Sequence, residues 1–209
     1  MVEKKNKIID LSHPLYDGMS TYPSDPDVSI IKEKDILSDR TLLHRFSMGT
    51  HTGTHLDAPA HMIRDGKTLD DFPLETFFGR SVKINDKTIN DLKNIGIKID
   101  GIIYDSGWYK NYNNSKIFYG SNRPIIPNQL VEQAQKMSIK FFGCDLPSVD
   151  SSGSKDKPIH NGLLGMDIIL YESLTNLDKL PIMSPFDFYG FPLRFKNLDG
   201  SPVRAIAVI

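Results

Sequence analysis

The chain has 209 residues, 39% hydrophobic and 24% charged, with 25 basic against 26 acidic side chains for a net charge of −1. This composition excludes wholesale disorder, and the near-neutral balance argues against nucleic acid or an anionic membrane as a partner. The length suits a single domain over residues 1–209, no apolar run approaches the roughly 18–20 residues of a membrane span, and Met1–Lys5 lacks the apolar segment of a secretion signal.

Taken in chain order, the first predicted strands are Lys7–Leu11, Val28–Lys32 and Leu42–Met48. The third is the clearest, because Leu42, His44, Phe46 and Met48 alternate with Leu43, Arg45 and Ser47. Phe72–Phe78 reads as a short helix and Arg80–Ile84 as a strand. Thr88 is placed to cap a helix over Ile89–Ile95, with Asp91 in its first turn and Gly96 as its stop. Gly101–Tyr104 is the next strand. In Asn128–Met137, Leu130, Val131, Ala134 and Met137 recur at helical spacing. Lys140–Asp145, Asp167–Tyr171, Phe188–Phe195 and Val203–Ile209 complete the strands, and the polar stretches Asn111–Lys116 and Ser151–Lys157 read as loops. Strands outnumber helices, which predicts an α/β or α+β domain on a mixed sheet. The lone Cys144 cannot form an internal disulfide, which fits a reducing cytoplasm; in the apolar run Phe141–Cys144 it reads as a buried thiol, not a nucleophile.

Chemistry concentrates in His51-Thr52-Gly53-Thr54-His55-Leu56-Asp57-Ala58-Pro59-Ala60-His61. Imidazole and carboxylate suit Zn²⁺ or Mn²⁺. A helix does not fit: Gly53 and Pro59 oppose one, and Asp57 and His61 would leave the face shared by His51 and His55. In an extended chain all four side chains share one parity, yet a straight strand would hold His51 and Asp57 about 20 Å apart. Ligands sit about 2.0–2.2 Å from their ion, so the chain is expected to curl into an irregular loop, with Gly53 permitting the curl and Pro59 fixing its exit. Further ligands must come from elsewhere, and His160 and Glu172 are the candidates; Glu172 reads equally as a solvated strand end. His13 and His44 read as ordinary turn and strand residues.

With those residues in view, the chain resembles the cyclase family of metal-dependent hydrolases, which includes bacterial-type kynurenine formamidases and isatin hydrolases. The carrying motif is His-x-Gly-Thr-His-x-Asp-x-Pro-x-His, met in full by His51 through His61. Tyr22-Pro23-Ser24-Asp25, Asp145-Leu146-Pro147-Ser148-Val149-Asp150, His160 with Leu163-Leu164, Glu172-Ser173-Leu174 and Gly200 through Ala205 extend the likeness along the chain. The resemblance implies a swivelling β/β/α fold, a homodimer or homotetramer, and a small-molecule substrate. It also implies one or two Zn²⁺ ions, with His51, His55 and Asp57 at the first, Asp57 bridging to a second held by His160 and Glu172, and His61 as general acid/base. Tyr22 stands where the formamidase pattern has Trp, and Ser24 replaces a glycine; both fall where substrate is expected. The implied reaction is hydrolysis of an N-formylated aryl amine such as N-formylkynurenine. Ring opening of a cyclic amide and metal binding without catalysis are the alternatives, since a closed four-ligand site would leave no position for reaction.

Overall fold

A computed structural model describes residues 6–209; the Met1–Lys5 stretch read above lies outside the described residues. The strands are β1 (Ile8–Asp10), β2 (Ser29–Lys34), β3 (Leu43–Ser47), β4 (His55–Asp57), β5 (Phe78–Ile84), β6 (Gly101–Tyr104), β7 (Phe141–Cys144), β8 (Ile169–Glu172), β9 (Pro185–Tyr189), β10 (Gly200–Pro202) and β11 (Ile206–Val208). The α-helices are α1 (Ile36–Asp39), α2 (Ser115–Phe118), α3 (Gln129–Met137) and α4 (Pro158–Leu164).

Nine strands form one mixed sheet in the order β1-β11-β9-β5-β6-β7-β8-β4-β10. Its centre, β5 through β8, is parallel, and the flanking pairs are antiparallel. The central strands are buried on both faces, as parallel strands must be. Ile102, Tyr104, Phe142, Cys144 and Leu170 pack on one side with α3 and α4. Ile103, Phe141, Ile169 and Tyr171 pack on the other with Phe188 and Leu56. The connection between β10 and β11 dictates the curvature. These strands lie seven positions apart in the sheet order, about 34 Å if the sheet were flat. The chain from Pro202 to Ile206 spans at most about 14 Å, so the sheet curls until its ends approach. The strand expected over Val203–Ile209 is reduced to β11, with Val203 forming only an isolated bridge to Pro192, and β10 just before it serves the opposite end of the sheet.

Other expectations are corrected in the same way. His55–Asp57 is not loop but a short strand between β8 and β10; only the approach to it is irregular, with Gly53 turning at φ +64°. Phe72–Phe78 forms only a 3-10 turn at Leu74–Thr76 before β5 begins, and Ile89–Asn94 is 3-10, with the Thr88 hydroxyl bonded to Asn85 instead of capping. The strand expected at Phe188–Phe195 starts earlier, at Pro185, and ends at Tyr189; beyond it Pro192 pairs only in an isolated bridge with Val203. Helix α4 was not anticipated. β2 and β3 pair only with each other and stand apart from the sheet. No helix among the described residues is long and apolar enough to cross a membrane.

Candidate metal centre

Three elements converge on Asp57. Strand β4 carries His55 and Asp57, and antiparallel register sets His55 opposite Glu172 of β8 and Asp57 opposite Gly200 of β10. Helix α4 delivers His160 from the far side. Its start is set by Pro158 in the first turn and by Asp150, whose carboxylate accepts the Ile159 and His160 amides at 3.0 and 3.2 Å. His55, Asp57, His160 and Glu172 are all buried.

Hydrogen bonds orient two of the imidazoles. His55 Nδ1 lies 2.9 Å from the Gly53 carbonyl, which only accepts, so the proton sits on Nδ1 and the Nε2 lone pair faces inward. His160 Nδ1 is held in the same way, 2.6 Å from Asp150 Oδ2. The inward Nε2 atoms then face carboxylate oxygens. His55 Nε2 is 3.4 Å from Asp57 Oδ1 and 3.6 Å from Glu172 Oε2, and His160 Nε2 is 3.7 Å from Asp57 Oδ2 and 3.4 Å from Glu172 Oε1. These separations are long for hydrogen bonds. They match the roughly 3.3–3.6 Å between ligand atoms on a tetrahedral ion with 2.0–2.2 Å bonds. Asp57 Oδ2 is buried without a hydrogen-bond partner, and Glu172 Oε1 is fixed by the Val149 amide at 2.7 Å. The donor set therefore fits a divalent cation, and His55, Asp57 and Glu172 bring ligand atoms within 4.8 Å of one another.

His51 and His61 form the second half of the cluster, and with Asp57 they make another group whose ligand atoms lie that close. The His51 ring is clamped between carboxylates, Nδ1 2.7 Å from Asp57 Oδ1 and Nε2 2.8 Å from Asp199 Oδ2. His61 Nδ1 is 3.4 Å from the same Asp199 oxygen, and the two imidazoles lie 3.9 Å apart between ring centres. Burial alone would depress the His51 imidazole; the Asp57 and Asp199 carboxylates outweigh it and raise the group to about 10. His160 is likewise pushed down by burial and carried well above its ordinary value by Asp150, Asp57 and Glu172. Burial works against the Asp57 carboxylate, yet the surrounding imidazoles hold it well below the usual carboxylate range. A surplus of buried carboxylate favours positive charge at these nitrogens, whether a proton or a metal ion.

The six residues singled out from the sequence, His51, His55, Asp57, His61, His160 and Glu172, thus come together, although no role is fixed by proximity alone. All but Asp57 line a cavity of about 210 Å³, as does Tyr22. Two partners were missed. Asp150 lay within a quoted motif without a role, and the pairing of Ile159, Leu163 and Leu164 after Pro158 was the overlooked sign of its helix. Asp199 offered no sequence signal; it arrives through the β4–β10 register. Gly200 beside it is required by space, since a Cβ there would lie 2.6 Å from His51 Cε1. His13 and His44 stand apart, His13 stacked on Tyr112 with ring centres 3.4 Å apart and held down to about 4 by burial, despite the opposing Asp10 charge. Burial also pushes the Cys144 thiol well up, against a nucleophilic role.

The chain is similar to several known proteins. A kynurenine formamidase from Geobacillus thermodenitrificans is 32% identical over 96% of each chain. Among solved structures, isatin hydrolase A from Ralstonia solanacearum superposes with a TM-score of 0.85 at 22% identity, covering 98% of this chain and 92% of that one. A protein described as a "predicted metal-dependent hydrolase" from Bacillus stearothermophilus gives 0.76 at 21% identity, covering 97% and 98%. The Cyclase family model matches residues 9–151, more than half of the sequence, and the chain belongs to that family.

Proposed function

We propose that this chain hydrolyses a small amide in the reaction for which its kynurenine formamidase relatives are named, converting an N-formylated aryl amine such as N-formylkynurenine to the free amine and formate. The observation that carries the reading is the set of ion-spaced contacts around Asp57. His55 and Asp57 would hold one ion, joined by His51 once its 2.7 Å hydrogen bond to Asp57 is given up; Asp57, His160 and Glu172 would hold a second. Nitrogen and carboxylate donors of this kind suit Zn²⁺, and Mn²⁺ as the alternative. Such an ion, when bound, makes hydroxide available at neutral pH and polarises the carbonyl under attack.

The chain's own residues supply the rest. Asp150 and the Gly53 carbonyl keep His160 and His55 aimed inward, so neither of these rings need turn on binding. His61 is assigned the proton transfer. With its Nδ1 side toward Asp199, Nε2 is the atom left to protonate the departing amine, which an amide needs before its nitrogen can leave. Tyr22 forms part of the substrate wall. The free, buried Cys144 fits a cytoplasmic protein. Homo-oligomerisation is part of the same proposal: the β2–β3 hairpin exposes Leu37, Phe46 and Leu42, and flanks an apolar groove of about 890 Å³ lined by Phe46, Phe191 and Leu193.

The test is a turnover assay on purified, metal-loaded protein with N-formylkynurenine, following formate and kynurenine. Stoichiometric release of both is expected. A metal-loaded protein that turns over no formyl anilide would contradict the reading.

A further inference from the structure

The cavity around the histidines carries two charges that the hydrolysis itself does not use. Lys157 is the one lysine or arginine on its wall, and Asp25 is an acidic residue of the same wall outside the cluster described above. The ion pairs within 4 Å among the described residues engage other lysines and arginines, and neither Lys157 nor Asp25 takes part in one. Opposite charges that face one small cavity without neutralising each other complement a ligand carrying both signs.

The placement of these groups is constrained. Lys157 holds φ 43°, ψ 55°, a left-handed conformation that residues with a side chain visit sparingly. It is fixed there by Pro158 at the start of α4 and by its carbonyl, which accepts the Asn161 amide at 2.9 Å. Lys157 is therefore tied to the helix that carries His160, three residues on. Asp25 closes the turn Tyr22–Asp25, its amide donating to the Tyr22 carbonyl at 2.9 Å. Tyr22 in turn is braced by the edge of Tyr119 and by the Arg123 guanidinium, each 6.0 Å from its ring centre. Arg123 is 4% exposed and is anchored by donating to the Asp150 carbonyl at 2.8 Å. An aromatic ring and two opposite charges on anchored backbone therefore line one cavity of about 210 Å³.

We propose that Asp25 and Lys157 are specificity-determining residues that recognise an α-amino-acid end on the amide, Asp25 taking the ammonium and Lys157 the carboxylate, while Tyr22 faces the aryl ring. The inference rests on the amide-hydrolase reading above and assigns the part of the substrate remote from the scissile bond. Binding there orients the amide against the Asp57 cluster without taking part in bond breaking.

The experiment compares four formyl anilides on metal-loaded protein: N-formylkynurenine, its analogues lacking only the ammonium or only the carboxylate, and neutral 2-formamidoacetophenone. Asn tolerates the left-handed backbone at position 157. Lys157→Asn should therefore keep fold and metal content while lowering the preference in kcat/KM for carboxylate-bearing over neutral substrates about tenfold, chiefly through KM. Lys157→Arg should restore most of that preference. Asp25→Asn should reduce the preference for ammonium-bearing substrates by a similar factor. Kynurenine binding, read by calorimetry without turnover, should weaken about tenfold in each charge-removing variant. Turnover by all variants with unchanged preferences and unchanged kynurenine binding would overturn this inference and leave the hydrolase reading standing. Absence of turnover on all four substrates by the wild-type holoenzyme would overturn both.

Discussion

Two regions of this molecule invert the usual sorting of side chains, in opposite senses. Around Asp57, four ionisable residues are buried: His55, Asp57, His160 and Glu172 are 4%, 1%, 2% and 3% exposed. On the β2–β3 hairpin and its connecting helix, apolar residues face outward, with Leu37 at 92% and Phe46 at 61%. The difference lies in what secures each region. Each of these four side chains has an anchor within the chain: the Gly53 carbonyl for His55, Asp150 for His160, the Val149 amide for Glu172 and His51 for Asp57. The strands of the hairpin pair only with each other, with the Ile30 amide donating to Asp17 at 2.7 Å as a tie to the rest of the chain, and an isolated two-stranded hairpin is marginal in water. Buried charge is affordable where partners converge from three elements. In the homo-oligomer proposed above, each Leu or Phe covered by a second copy would contribute about 1.5–3 kcal/mol.

The contrast can be broken from either side. The largest effect is expected at His61: His61→Ala should retain metal and lose about 10²–10⁴ in rate on an amide, and less on an ester, whose leaving group needs less protonation. Metal analysis alongside both rates checks this; depleted metal with equal losses would place His61 among the ligands. Next come the residues that steady His51. Asp199→Asn and Gly200→Ala should each weaken metal affinity about 10–100-fold, measured by competition with a chromophoric chelator. In the same assay Glu172→Gln should give partial occupancy, because the amide oxygen remains a weaker donor. Full occupancy would make Glu172 a strand end only. The smallest effect on chemistry belongs to the hairpin. Leu37→Ser with Phe46→Ser should shift the protein toward monomer by light scattering while leaving metal per chain unchanged. An unchanged mass would remove the hairpin from the assembly.

The same contrast explains what could be read from the sequence. The His51–His61 stretch was legible because even spacing around a glycine and a proline leaves few structures that unite its side chains. Gly101–Tyr104 and most of Asn128–Met137 were legible because apolar pattern alone defines them. β4 was not, since a three-residue strand whose buried residues include His55 and Asp57 lacks the apolar alternation that marks strands. α4 was hidden by the polar loop before it, and its cap, Asp150, lies well upstream of the helix start. Asp199 could not be found by any local reading, because its meeting with His51 follows from strand register across 148 residues. The exposure of Phe46 was equally hidden: alternation in Leu42–Met48 predicted a strand, but that strand pairs only with β2 and lies outside the nine-stranded sheet.

The central claim is that metal held around Asp57 is what makes this chain a hydrolase, and one titration tests it most directly. Protein stripped with a chelator is reloaded stepwise with Zn²⁺ while bound metal, N-formylkynurenine turnover and melting temperature are followed together. Turnover should rise from none in proportion to metal bound, with a higher melting temperature as the site fills and about 4 kcal/mol of added stability at a thousandfold excess over Kd. Asp57→Asn should bind and gain far less. Full turnover by rigorously metal-free wild-type protein, or an Asp57→Asn variant that loads and works like the wild type, would contradict the account.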